Sequence, residues 1–447
     1  MTESNIFKEH KMAFRGLTPF SSDRRSFLKA GALGAGTLAL GANAADGKDK
    51  PAIKIALIGC GGRGTGAATQ ALEANPNAVI VALADYFEDA VNNAANHFGN
   101  VAKQRPKQID IGPRKFSGLD AYQKAIDSGC DMVILATPPG FRPPHVEYAV
   151  KQNKHVFMEK PVAVDAPGVR QVLAAVEEAK KKNLYVAVGL QRHHENGYRE
   201  TLKQVQSGLV GKILGGRVYW AGGGVWVRDK QGVSEFDYQM HNWYYFNWLC
   251  GDQICEQHIH NLDVFNWFNG STPVKARGYG GREVRKGQKK FGEIFDHTAI
   301  EYTYANGVVM QSYGGHIAGA WNDVSEHLVC EKGTVDCNGR IDDHDGKSLW
   351  RFKGPNPGGH ANEWVDLMNN LAEGKILNEG EYGAHSTLTA ILGRTAAYSG
   401  KEVSWDTMLK SDFRYFDPEV VARKESLVLP GKDGLYPIAV PGQTKCF

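Results

Sequence analysis

Gly59-Cys60-Gly61-Gly62-Arg63-Gly64 sets glycines at the first, third and sixth positions of a short turn. Bare backbone at that spacing lets a pyrophosphate approach, and a helix starting there offers it unpaired N–H groups and a positive dipole. Asp85 ends the next apolar run, where a carboxylate can bond the diol of an adenosine ribose and repel a 2′-phosphate. These residues favour NAD; Arg63, a cation within the turn, leaves NADP as the second option. Glu159-Lys160-Pro161 follows a further apolar run. A lysine beside a nicotinamide can have its pKa lowered enough to help move a proton, which an alcohol must lose as its carbonyl forms. Glu256, His260 and Asp263 stand at i, i+4 and i+7 and share one face if their segment is helical. A carboxylate beside an imidazole raises the imidazole pKa and orients the ring for acid-base work. The same spacing admits a metal held by His258 or His260, but no H-E-x-x-H pair or other zinc pattern accompanies it, so no metal is expected.

These residues need elements to hold them. Lys54 to Ile58 reads as a strand running into the glycine turn, and Thr65 to Glu73 as the alanine-rich helix that follows. Apolar runs at 78–84, 132–136, 155–158 and 185–190 alternate with helical stretches at 145–152 and 168–182. Parallel strands need such crossovers, so residues 52–190 are expected to form one doubly wound α/β domain. Beyond residue 190 the texture changes to two-residue alternation at 217–220, 298–304 and 308–313, with Asn306-Gly307 marking a hairpin. Residues 191–420 are therefore expected to be an α+β domain on a mostly antiparallel sheet, with helices at 254–268 and 360–373, followed by a tail over 421–447. The charged run Lys286 to Lys290 is expected in a solvated loop or strand end.

A chain of 447 residues suits two such domains. Residues 1–45 carry an excess of basic over acidic side chains equal to the net charge of the whole chain, +3, which leaves the rest near neutral. A neutral body lacks the clustered cations that nucleic-acid binding requires. Within that leader, Arg24-Arg25-Ser26-Phe27-Leu28-Lys29, the small and apolar run Ala30 to Ala42, and Ala42-Asn43-Ala44 describe a twin-arginine signal peptide. The run falls short of the ~20 apolar residues a membrane span needs. Export to the periplasm, or otherwise out of the cell's interior through the twin-arginine pathway, is the expectation, with no membrane attachment once the signal is cleaved. Twin-arginine export moves folded proteins, which fits a tightly bound cofactor. The seven cysteines are odd in number and scattered, so packed free thiols are expected for most of them.

The ordered set of the glycine turn, Thr137-Pro138-Pro139, Glu159-Lys160-Pro161 and His260 with Asp263 resembles the glucose-fructose oxidoreductase, inositol dehydrogenase and rhizopine catabolism (Gfo/Idh/MocA) family, over Lys54 to about Asp406. The resemblance implies a Rossmann domain followed by an open-faced sheet domain that carries substrate and often mediates homo-oligomer contacts. It implies Lys160 and His260 as catalytic residues, Thr137 and Pro138 near the nicotinamide ribose, and Glu159 and Gln191 along the cofactor site. Where the family commonly has aspartate four residues before the histidine, this chain has Glu256, and His258 adds a second imidazole. Arg192 and Trp243 are expected to enter the cleft with His258 to meet a carbohydrate substrate, aromatic faces suiting the C–H surfaces of sugar rings. Members of the family that this chain resembles oxidise a secondary hydroxyl of a sugar, polyol or glycoside, or use tightly held NAD to cleave a glycoside through transient oxidation and elimination. A dinucleotide-binding protein without turnover is the third reading.

Overall fold

The protein is described by a computed structural model over residues 51–447, so the signal peptide expected at 1–45 lies outside the described residues. Six strands, β1 (Ile53–Ile58), β2 (Ala78–Asp85), β3 (Lys115–Ser117), β4 (Met132–Leu135), β5 (His155–Met158) and β6 (Val186–Val188), form one parallel sheet in the order β3-β2-β1-β4-β5-β6. Helices cover both faces, which is why β4 is an unbroken apolar run and β1 and β5 are apolar beyond Lys54 and His155 rather than alternating. Helix Ala166–Lys181 shows how the crossovers are anchored: Asp165 caps it by accepting from Gly168 N at 2.9 Å, and Lys180 and Lys181 face the negative end of its dipole. Strand order reverses between β1 and β4, and the chain ends leaving that crevice carry Gly59 and Thr137.

A second sheet joins β7 (Ile213–Gly222), β8 (Pro273–Gly281), β9 (His297–Tyr304), β10 (Val309–His316), β11 (Asp323–Cys330), β12 (Gly333–Asp336), β13 (Arg340–Asp342), β14 (Ser348–Arg351) and β15 (Val403–Ser404). Its order is β14-β13-β12-β11-β7-β10-β9-β8-β15, and only β7 and β10 run parallel. The expected hairpin joins β9 to β10, where Gly307 takes a φ of +82° that a β-carbon would oppose. Helices Ile259–Asn269 and Gly380–Ser399 bury one face of the sheet. The other face stays open and displays Tyr219, Tyr313 and Trp321.

Two differences from the sequence expectations bear on function. The helix expected over 254–268 is two pieces, Gln253–Glu256 and Ile259–Asn269, broken at Gln257 and His258. The helix expected at 360–373, observed as Gly359–Ala372, crosses back onto the first domain and packs against helix Gly62–Ala74. Trp364 lies 4.5 Å from the Phe157 ring, ring centre to ring centre, and joins a core cluster with Ile55 and Leu57. Burying one such ring is worth roughly 1.5–3 kcal/mol, enough to hold the helix there. The boundary at residue 190 thus separates the sheets but not their cores. Residues 421–447 also pack down, with Tyr436 and Cys446 buried and Gly442 N donating to the Ser399 carbonyl at 2.8 Å. All seven cysteines are free and buried. Among the described residues no helix is long and apolar enough to cross a membrane.

Candidate active site

The glycine turn divides its work by position. Gly59 has φ +97°, and a β-carbon there would lie 2.5 Å from the Ala136 carbonyl carbon and 2.6 Å from Thr137 N. A β-carbon on Gly64 would lie 1.9 Å from the Gly59 oxygen, so this glycine lets the helix close on the strand. Gly61 and Gly62 face open space, and helix Gly62–Ala74 begins with no side chain capping its free N–H groups. A cavity of about 660 Å³ opens there, lined by Gly61, Gly62, Thr65, Phe87, Arg228 and His241 among others. Bare backbone, uncapped amides and room beside them fit a dinucleotide diphosphate.

Asp85 ends β2 beside this turn as expected, and it has a task the sequence did not announce. Its carboxylate accepts from Cys60 N at 2.7 Å and from Phe87 N at 3.0 Å, bracing the turn against the strand end. Burial raises its pKa, those two bonds opposing. Arg63, held open above for a 2′-phosphate, points the other way: it pairs with Glu159 on the β5 side of the crevice and with Glu363 at 3.1 Å. Thr137 passes beside Gly59, its hydroxyl 3.4 Å from His145 Nδ1, and Pro138 leads into the 3-10 turn Pro139–Phe141. Burial pushes the Glu159 carboxyl up, but Arg63 and Lys160 outweigh burial and hold it below its ordinary value. The Gln191 side-chain oxygen is buried without a partner at the start of the 3-10 turn Gln191–His194.

Across the crevice Lys160, at the end of β5, meets the second domain. Its ammonium donates to the backbone carbonyl of Glu256 and lies 3.2 Å from Glu256 Oε1. Burial raises the Glu256 carboxyl and the charges of Lys160 and Arg142 oppose it, while Oε2 has no hydrogen-bond partner among the described residues. His260 is buried, stacks on Trp220 with centroids 5.9 Å apart, and has no hydrogen-bond partner for Nδ1 among the described residues. Burial pushes its imidazole well below the ordinary value, and Lys160 is the first of the charges that push it further. This is a neutral base beside a cation.

The sequence expected Glu256 and Asp263 to flank and raise His260, and the structure corrects this. The break at Gln257 and His258 removes Glu256 from the His260 face and gives it to Lys160. Asp263 instead accepts from His193 at 2.8 Å and from Ser386 at 2.7 Å. His258 is not a substrate ligand either: it is fully buried, with Nε2 2.8 Å from the Ser312 hydroxyl and Nδ1 3.3 Å from Asn261. Burial lowers its pKa to about 3. Nor does Arg192 reach out, because it pairs with buried Glu326 and lies over Tyr198. Trp243 meets Trp226 edge-on at 5.6 Å.

Sequence reasoning missed His316 and His360. The Tyr244 hydroxyl and His316 Nδ1 are buried without partners, their rings stacked at 5.9 Å, and Tyr244 feels the charge of Glu256. His360 adds its charge to the field on His260 from the crossing helix, where it lies 3.4 Å from Glu363. Among the described residues no group of three or more His, Cys, Asp or Glu side chains is placed to hold a metal.

Residues 53–190 match the model of an oxidoreductase family with an NAD-binding Rossmann fold. The chain is similar to scyllo-inositol 2-dehydrogenase (NAD(+)) of Bacillus subtilis, 20% identical over 63% of this chain and 73% of that protein. It is also similar to alpha-N-acetylgalactosaminidase of Shewanella oneidensis, 28% identical over 43% of this chain and 44% of that one. Scyllo-inositol dehydrogenase from Lactobacillus casei, solved with bound NAD(H) and scyllo-inositol, shares the fold at a TM-score of 0.60 and 18% identity, over 79% of this chain and 99% of its own.

Proposed function

We propose that the chain is a Gfo/Idh/MocA-type oxidoreductase, residues 53–190 matching that family's model with its NAD-binding Rossmann fold, and that it oxidises or reduces a secondary hydroxyl of a sugar, polyol or glycoside. The observation that carries the reading is the contact of Lys160, from the dinucleotide domain, with Glu256, from the sheet domain, together with the action of the Lys160 charge on the neutral imidazole of His260. A neutral imidazole can accept the hydroxyl proton. The Lys160 ammonium, steadied by Glu256, can donate a hydrogen bond to the same oxygen and so stabilise the negative charge that develops there. When bound, NAD supplies the hydride acceptor. Buried rings and the crossing helix Gly359–Ala372 keep water from the site, which strengthens both effects.

NAD is the proposed cofactor, with NADP second. Asp89 lines the cavity and the Asp85 carboxylate stands beside its glycine turn, accepting from Cys60 N, while Arg63 is bound to acids elsewhere. Twin-arginine export is proposed on the Arg24-Arg25 leader alone.

The test is a panel of sugars, polyols and glycosides assayed at the nicotinamide absorbance band. Lys160→Ala and His260→Ala are expected to abolish turnover with dinucleotide still bound, and full activity in both would refute the assignment. Similarity to a glycosidase favours one second reading, cleavage of a glycoside with NAD regenerated in place. It predicts release of the aglycone without net reduction, which the same panel detects.

A further inference from the structure

Both domains wall the cavity beside the glycine turn. Gly61, Gly62 and Phe87 line it from the first domain, Arg228 and His241 from the second. The segment 222–242 is docked on the corner after β2 by three contacts. Tyr86 donates to Asp237 at 2.7 Å, the His241 ring stacks on Phe87 at 3.8 Å and 16°, and Phe236 meets Tyr86 edge-on at 5.8 Å. Arg228 lies over Trp226, 4.3 Å from the ring centre, with its guanidinium in no ion pair among the described residues.

We propose that Arg228 binds the diphosphate bridge of the dinucleotide and that segment 222–242 closes over the cofactor as a clamp. The inference rests on the dinucleotide reading above and adds to it a residue from the opposite domain. A diphosphate carries two negative charges, and on the first-domain side the turn meets them with backbone amides only. Its one cation, Arg63, is held by Glu159 and Glu363. Arg228 is the guanidinium that lines the cavity together with Gly61 and Gly62, and a guanidinium fork matches phosphoryl oxygens. A 2′-phosphate is the poorer target, because the Asp89 carboxylate lines the cavity and that of Asp85 stands beside the turn. His241 adds no competing cation: burial first, and Lys230 next, push its pKa down. A cofactor gripped from both sides leaves only when Tyr86–Asp237 and Phe87–His241 part, so the clamp predicts slow release.

The experiment loads the full-length protein with NAD, removes free ligand, and follows bound dinucleotide over time by mass after denaturation. Arg228→Ala is expected to release NAD ~10-fold faster or more, the scale of one lost charge-assisted hydrogen bond. Arg228→Lys should fall between it and the parent. His241→Ala should also speed release, while Arg228→Ala leaves the melting temperature of the dinucleotide-free protein unchanged. Release from Arg228→Ala at the parent rate overturns the clamp. A variant weakened toward NADP but not NAD would make Arg228 a reader of the 2′-phosphate and overturn the diphosphate assignment. If the parent protein binds neither dinucleotide, the functional reading itself fails, a result distinct from a parent that holds NAD and a variant that holds it equally long.

Discussion

The two halves of the site are built on different principles. At the glycine turn, backbone does the work: Gly59, Gly61 and Gly64 act through the atoms they lack, and their partners are a few residues away or on the adjacent strand. At the segment 251–263, side chains do the work, and each is claimed by a residue far along the chain. Lys160 takes Glu256, Ser312 takes His258, and His193 takes Asp263. A site made of backbone is set by local sequence, whereas a site made of side-chain pairs is set by whatever the fold brings alongside.

The largest effect that can break this contrast lies in the turn itself. Gly64→Val would drive side-chain atoms into the Gly59 carbonyl, and backbone cannot step aside there. Overpacking of this kind costs about 1–3 kcal/mol or more, so a strongly lowered melting temperature or insoluble protein is expected. Gly61→Ala meets open space and should melt like the parent while losing NAD affinity, measured by titration. Equal melting of both variants would show that the turn is not divided by position. Next in size is the contrast between neighbouring histidines. His260→Ala is expected to lower kcat by about 10²–10⁴, the range for a lost acid-base group, with little change in melting. His258→Ala strands the Ser312 hydroxyl in the sheet and should cost about 1–3 kcal/mol of stability in a urea titration, with kcat of the folded fraction retained. The reverse pattern would move the base to His258.

This division also explains what the sequence disclosed. Strands β1, β2, β4 and β5, the Asn306-Gly307 hairpin and the glycine turn follow from periodicity and backbone chemistry, and each is where the pattern put it. Lys160 was legible because it closes an apolar strand on the crevice side. The pairing of Glu256 was not. Helical spacing put it with His260, but the chain breaks at Gln257 so that His258 can enter the sheet, a demand made by Ser312, Asn261 and the packing of β10. Arg192 failed for the same reason: its partner Glu326 sits on β11. Helix Gly359–Ala372 was legible as a helix, yet its landing on the first domain depends on Trp364 finding Phe157, which no local pattern encodes.

The smallest effect sharpens the comparison through pH. An unperturbed imidazole titrates near ~6.5, so a histidine base of ordinary character would lose activity as pH falls through that value. His260 is depressed, first by burial and then by Lys160, and stays neutral through that range. Burial has moved Glu256 the opposite way, up from its ordinary value. With His260 as the base, the acid limb of kcat/KM should therefore lie below ~6.5. Stability runs in parallel. The unfolded chain takes up protons on its histidines near ~6.5, while buried His258, lowered to about 3, refuses one, so stability should fall as pH drops below ~6.5 and assays there should be short. Glu256→Gln removes the titrating carboxyl but keeps its shape. The limb should shift to lower pH with a modest fall in kcat, read from rate profiles of parent and variant. A limb that stays near ~6.5 in both proteins would mean that His260 titrates as an ordinary imidazole, and that the cation of Lys160 does not share its pocket.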